Sequence, residues 1–388
     1  MLKESIKNDI REAYSRVVEA RNFVPRKGQR QMIADIAKSL GPLSESNYND
    51  KTNPICVVEA GTGIGKTLAY MASVIPIGLA SKKKVIISTA TITLQEQLVN
   101  KDLPEFKEHG GIEFNFVLVK GRRRYVCLSK LDLVTEGAQN QFSSLPMYPD
   151  EVQIASQDDH KVIYESMIEA LARGEWDGDR DDWAGNLEED GWRSITADHN
   201  ECIGRRCPNI SSCYFFRARD GVEDADVLVT NYNLLLADLI SGGGVLPPPG
   251  DCIYVFDEGH HLPVKALAHF QSSCRLKGTA FWLREARKVL NGEVVIPDFL
   301  SKARQSFHIM GELIEQIEQK LLLVGEAVPA LMDVAEESRF SRDKHVRFSR
   351  GLVPENLVKA SSDIQNSISG LIKAISKILE CLEKHLDS

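Results

Sequence analysis

The chain has 388 residues, 43% apolar and 26% charged, with a net charge of −8. That length leaves room for about two or three domains of ordinary globular composition. The acidic balance argues against a broadly basic nucleic-acid surface, and the longest largely apolar run, 68–81, is too short for a bilayer and contains Pro76.

Residues 1–20 begin with alternating charges (Lys3, Glu4, Lys7, Asp9) and no apolar leader, so they predict a charged helix of a cytoplasmic protein. A second helix is predicted over 29–40, then a Gly-, Pro- and Ser-containing loop over 41–54. Short runs rich in Val and Ile follow at 55–59, 84–89, 114–120, 226–230 and 252–256. Helical stretches at 66–80 and 91–100 separate some of them. This alternation predicts an α/β domain with a parallel sheet. Between 120 and 226 the alternation stops, and an acidic run lies at 175–190. Residues 121–214 are therefore expected to be an inserted domain, with 1–120 and 215–265 forming the sheet domain. Over 301–324 and 357–386 apolar residues recur every three or four positions, among them Ile317, Leu321, Val324, Ile364, Ile368, Leu371 and Ile375. Residues 266–388 thus read as a domain of packed amphipathic helices.

Residues 60–67 read Ala60, Gly61, Thr62, Gly63, Ile64, Gly65, Lys66, Thr67. Gly-Lys-Thr closes a phosphate loop of the Walker A type, although Ala60 stands where the strict pattern has glycine. The glycines let backbone N–H groups turn toward phosphate oxygens, and the helix that follows points its positive end at them. Lys66 is suited to the β- and γ-phosphates of ATP, and Thr67 to Mg2+. Asp257 and Glu258 end the strand over 252–256, as in a Walker B arrangement. Asp257 would hold Mg2+, and Glu258 would orient and deprotonate an attacking water.

Eight cysteines without a leader do not suggest a disulfide framework. Cys56 and Cys252 fall in strand-like runs, and Cys381 in a helical pattern. Cys202, Cys207 and Cys213 form a local cluster, and Cys127 opens the same insertion. Four thiolates suit either Zn2+ or an iron–sulfur cluster, and neither spacing separates the two. Basic residues Lys120, Arg122, Arg123 and Arg124 precede Cys127. Arg205, Arg206 and the aromatics 214–216 flank the others. Cations interleaved with aromatics suit single-stranded DNA.

Asp-Glu-Gly-His at 257–260, the Ala-Gly-Thr-Gly loop and Ser-Thr-Ala-Thr-Ile-Thr-Leu-Gln-Glu-Gln-Leu at 88–98 occur together. The combination resembles the DinG group of bacterial DNA helicases, iron–sulfur relatives of the XPD helicase, over about Phe23 to Pro263. The resemblance implies a RecA-like motor domain, an inserted [4Fe–4S] domain ligated by Cys127, Cys202, Cys207 and Cys213, and a helical Arch-like domain. It implies that Gln29 reads adenine with Arg26 nearby. It also implies that Thr89, Thr91, Asn231 and Tyr232 face the DNA strand, Tyr232 by stacking, with Arg122 and Arg123 on phosphates. The implied activity is ATP-driven 5′-to-3′ unwinding of DNA with single-stranded tails. No Ser-Ala-Thr or Gln-x-x-Gly-Arg-x-x-Arg motif of a second motor domain is in the sequence, so a fragment or truncated relative with little unwinding activity of its own is expected. The competing expectation is an iron–sulfur or zinc DNA-binding module that binds ATP without turning it over.

Overall fold

The computed structural model describes residues 2–44, 54–61, 63–135, 160–198, 201–271, 279–280, 282–284, 286, 308–337, 348 and 351–386. The chain divides into two compact units. One comprises Met1–Ser129, Arg173–Ala184 and Ile195–Gln271; the other comprises Lys130–Ala172, Gly185–Ser194 and Ser272–Ser388. The segment expected to fold apart, 121–214, is thus shared between them.

In the first unit the helices α1 (Glu4–Ala20), α2 (Lys27–Leu40) and α3 (Lys66–Ser81) precede strand β1 (Lys84–Thr89). Then come α4 (Ile92–Gln97), α5 (Leu103–Gly110) and β2 (Phe116–Leu118). Further along the chain lie α6 (Leu128–Thr135), α7 (Lys161–Arg173), α8 (Glu189–Ser194) and α9 (Tyr214–Arg217). Strand β3 (Val227–Asn231), α10 (Tyr232–Ile240), β4 (Cys252–Phe256) and α11 (Leu262–Phe270) follow. The four strands form one sheet in the order β2-β3-β1-β4, and every pairing is parallel.

The two central strands are apolar in nearly unbroken runs because both faces are covered. Side chains alternate across the sheet. Val85, Ile87, Val227, Val229 and Ile253 join one core with α1, α2, α3 and α5. Ile86 and Leu228 join the other with Val119, Leu235 and Leu246. Helix α3 is buried along most of its length, from Ala69 to Gly78, which explains its lack of a polar stripe.

The expected strand over 55–59 is not formed. Residues 54–61 carry no strand, and Ile55 and Val57 are 81% and 89% exposed. Cys56 and Val58, the alternate side chains, do pack on the core. The run is therefore extended and covered on one side. The apolar pattern reported that covered side; a strand also needs a neighbouring backbone to bond, and among the described residues no strand pairs with it.

In the second unit α12 (His308–Glu337) packs against α13 (Glu355–Leu386). Their shared core includes Ile317, Leu321, Val324 and Val328 from one helix, and Ile364, Leu371 and Ala374 from the other. Ile375, placed on the stripe by its spacing, is 39% exposed. The expected helical residues 301–307 lie outside the described residues. The Tyr164 hydroxyl of α7 donates to the Gly191 carbonyl of α8 at 3.0 Å. No described helix is long and apolar enough to cross a membrane.

Candidate nucleotide-binding site

The C-terminal ends of parallel strands share one edge of a sheet, and loops there are the usual ligand sites of α/β folds. Asp257 and Glu258 leave β4 at that edge, and the Asp257 N–H donates to the Ser88 carbonyl of β1 at 3.0 Å. The phosphate loop meets them there. Lys66 Nζ lies 2.9 Å from Glu258 Oε1.

Two glycines shape the loop. Gly63 and Gly65 have φ of 78° and 86°, a region that side chains rarely enter. A Cβ on Gly65 would also lie 2.5 Å from Gln29 Nε2. Helix α3 begins right after Gly65, which places Lys66 and Thr67 in its first turn. Thr62 lies outside the described residues. Ala60 and Ile64 are half-buried, whereas Gly61 is exposed.

The carboxylates differ in environment. Burial, then the charge of Glu258, pushes the Asp257 carboxyl above its ordinary value. The hydrogen bond from Lys66 holds Glu258 below its own. His260 Nδ1 stands 3.3 Å from the second Glu258 oxygen. The buried Tyr70 hydroxyl approaches Asp257 Oδ2 at 3.5 Å.

A cleft of about 440 Å³ opens beside the loop. Its lining includes Arg26, Gln29, Gly63, Gly65, Thr67 and Asp102. Gln29 is only 6% exposed, and both ends of its amide are engaged. The Tyr14 hydroxyl donates to its Oε1 at 2.7 Å, and its Nε2 donates to the Gly65 carbonyl at 2.9 Å. One amide hydrogen and one lone pair remain for a ligand. Tyr14 and Asp102 carry no motif of their own and were not legible in the sequence.

The residues expected to face DNA stand at the same edge, since Thr89 registers with Asn231 across β1 and β3. Their polar atoms serve local structure. Thr91 caps α4, accepting from the Leu94 N–H at 3.3 Å, and the Thr89 hydroxyl donates to the Thr91 carbonyl at 3.0 Å. Asn231 caps α10, accepting from the Leu234 N–H at 2.9 Å. The expectations for Thr89 and Tyr232 require correction. Thr89 is 0% exposed, so its hydroxyl reaches no DNA phosphate. Tyr232 is 1% exposed, so its ring presents no face for stacking on a base, and its hydroxyl donates to the Asp257 carbonyl at 2.7 Å. A Tyr that begins an apolar helix right after a buried strand is carried into the core with it.

The basic run after β2 is largely neutralised by acidic residues far along the chain. Lys120 pairs with Asp179 and, at 2.9 Å, with Asp181. Arg124 pairs with Asp181, and Arg123 with Asp198 at 2.9 Å. Arg122 instead lies over the Phe215 ring at 4.2 Å, and Arg219 over the same ring at 4.0 Å. Burial and the nearby Arg122 charge push Arg219 down to about 10.

The four cysteines are each half-buried. The Gly204 N–H donates to Cys202 Sγ at 3.4 Å, and the Ser129 hydroxyl lies 3.4 Å from Cys207 Sγ. Cys207 and Cys213 each follow a short 3-10 turn. Cysteine thiolates are chemically suited to an iron–sulfur cluster. Among the described residues no three Cys, His, Asp or Glu side chains stand together as a ready set of metal ligands. Cys274 and the side chain of Cys381 lie outside the described residues.

A phosphate loop joined to a carboxylate pair at the C-terminal edge of a parallel sheet defines an α/β protein of the P-loop class. No protein-family model matches the chain. The ATP-dependent DNA helicase DinG of Photobacterium profundum is 35% identical over 391 aligned positions, covering 100% of this chain and 53% of that protein. The ATP-dependent DNA helicase DinG of Escherichia coli (strain K12) is 35% identical over 263 positions, covering 68% of this chain and 35% of that protein. The chain is thus similar over its whole length to a DinG-type helicase and spans about half the length of that Photobacterium relative. A solved XPD helicase aligns over 92% of this chain and 51% of its own at 14% identity, with a TM-score of 0.35, a likeness too slight to bear on function.

Proposed function

We propose that the chain is the nucleotide-binding part of an ATP-dependent DNA helicase. The observation that carries this reading is the 2.9 Å contact between Lys66 and Glu258, which joins the phosphate loop to the acidic end of β4. In this reading Lys66 exchanges Glu258 for the β- and γ-phosphates of ATP. Backbone N–H groups of 61–67 cradle the same oxygens. Thr67 and Asp257 hold Mg2+, which neutralises developing phosphate charge when bound. A raised Asp257 carboxyl gains most from a cation, since a positive charge beside it restores the ionised form. Glu258, released from Lys66, orients the attacking water and takes its proton. Gln29 and Arg26 border the base in the cleft.

Single-stranded DNA would run over the edge formed by Thr91 and Asn231, with Arg122 and Arg123 as further phosphate contacts and unwinding in the 5′-to-3′ sense. Residues 1–120 and 215–265 would form the motor domain, 121–214 the cluster domain and 266–388 the Arch-like domain. Cys127, Cys202, Cys207 and Cys213 would hold a [4Fe–4S] cluster. The similarity to named DNA helicases supports the substrate, and the thiol chemistry supports the cluster.

The test is DNA-stimulated ATP hydrolysis by the full-length protein. Glu258→Gln is expected to lower turnover at least about a hundredfold while leaving nucleotide binding in place. Turnover unaffected by that change would remove Glu258 from the chemistry. Cys202→Ser is expected to abolish iron content and visible absorption. A protein purified with zinc and no colour would favour the competing reading.

A further inference from the structure

The buried Tyr232 occupies a place that capping and core packing alone do not explain. Its hydroxyl donates to the Asp257 carbonyl at 2.7 Å. The N–H of that same peptide unit belongs to Glu258 and donates to Asp257 Oδ1 at 3.0 Å. Both polar groups of one peptide are therefore held by side chains rather than by a helix or a strand ladder. A peptide fixed at both ends cannot rotate without losing both bonds.

That peptide introduces an uncommon backbone. Glu258 has φ 55° and ψ 47°, the left-handed region that a Cβ disfavours. Such a conformation persists only where the surroundings over-determine it. Turning the peptide would swing the Glu258 carboxylate away from its present place 2.9 Å from Lys66. Tyr232 is itself firmly seated. Asn231 starts α10 by its cap, and the Tyr232 ring lies 6.0 Å from the Phe256 ring, inclined by 28°. The side chain thus reaches from the end of β3 past β1 to the end of β4.

We propose that Tyr232 is a positioning residue for ATP hydrolysis, its hydroxyl fixing the Asp257–Glu258 peptide and so aiming the Glu258 carboxylate. The proposal rests on the reading that Glu258 orients the attacking water. It places the end of β3, where Asn231 is expected to meet DNA, one hydrogen bond from the hydrolytic group.

Tyr232→Phe removes the hydroxyl and keeps the ring. In the full-length protein it is expected to lower kcat for ATP about tenfold, with KM for ATP and affinity for ADP held within about twofold and the melting temperature unchanged. Added to Glu258→Gln, it is expected to change the residual rate by less than about twofold, because the group it aims is gone. A kcat within about twofold of the unmodified protein would overturn the proposal. So would an equal loss in both backgrounds, or a loss of kcat that tracks lost ADP affinity and a lower melting temperature. Should the unmodified protein hydrolyse no ATP, or hydrolyse it without regard to Glu258→Gln, the underlying reading fails instead and takes the proposal with it.

Discussion

The phosphate-loop end of the sheet and the four-cysteine segment are both dense in motif residues, and the fold treats them differently. At the first, Lys66 and Glu258 stand 192 positions apart in sequence and 2.9 Å apart in space. At the second, Cys202, Cys207 and Cys213 lie close in sequence, yet no set of described ligand side chains converges there. Regular structure explains the contrast. Parallel strands carry their C-terminal residues to one edge whatever loops intervene, which sets the Asp257–Glu258 end of β4 beside β1, and the packing of α3 on the sheet brings Lys66 to it. The cysteines lie outside regular structure, Cys207 and Cys213 each just after a short 3-10 turn, where local bonds do not dictate where a thiol points, and a metal-ligand bond is the interaction that would gather them. What does hold that segment is the pairing of Lys120 and Arg124 with Asp179 and Asp181 and the packing around Phe215.

This contrast can be broken or sharpened by substitution. Lys66→Ala should have the largest effect, lowering ATP turnover by about a hundredfold or more while iron content is unchanged. A parallel loss of iron would show that the two regions are not independent. Phe215→Ala should come next. The ring is 3% exposed and carries two guanidiniums and Tyr125, so its loss should cost about 3 kcal/mol, read from denaturant midpoints. Gly65→Ala should cost roughly 1–3 kcal/mol from the positive φ, together with weaker nucleotide binding as Gln29 is displaced.

The smallest effect concerns pH. Glu258 is held below its ordinary value of 4.5 by Lys66, so the pair's contribution is present above pH 4.5 and is lost as pH falls through the lowered folded value. The two side chains are 26% and 32% exposed, so the pair contributes under about 1 kcal/mol. Melting curves should show the gap between the unmodified chain and Glu258→Gln closing below pH 4.5. A gap that widens on acidification would mean that another group governs this end of the sheet.

Secondary structure near the site was largely legible. Strand β4 falls on residues 252–256 as expected, β1 on 84–89, and α3 starts at the Lys66 of the phosphate loop. The run over 55–59 was misread because a half-covered extended chain and a strand share one apolar alternation. Tyr232 was misread because an aromatic residue beside a polar motif looks alike whether it stacks on a ligand or enters the core. The neutralised basic run escaped notice because its partners, Asp179, Asp181 and Asp198, lie far along the chain.

By itself, the order of residues determined the periodic elements, the phosphate loop with its glycines and the acidic pair after β4. These depend on backbone geometry and on contacts a few residues long. Only the tertiary structure decided that Lys66 faces Glu258, that Gln29 closes against Gly65, and that Tyr232 holds the Asp257 peptide rather than a base. Each of these contacts joins separate elements, and side-chain direction at such a junction follows from packing, which no local pattern encodes.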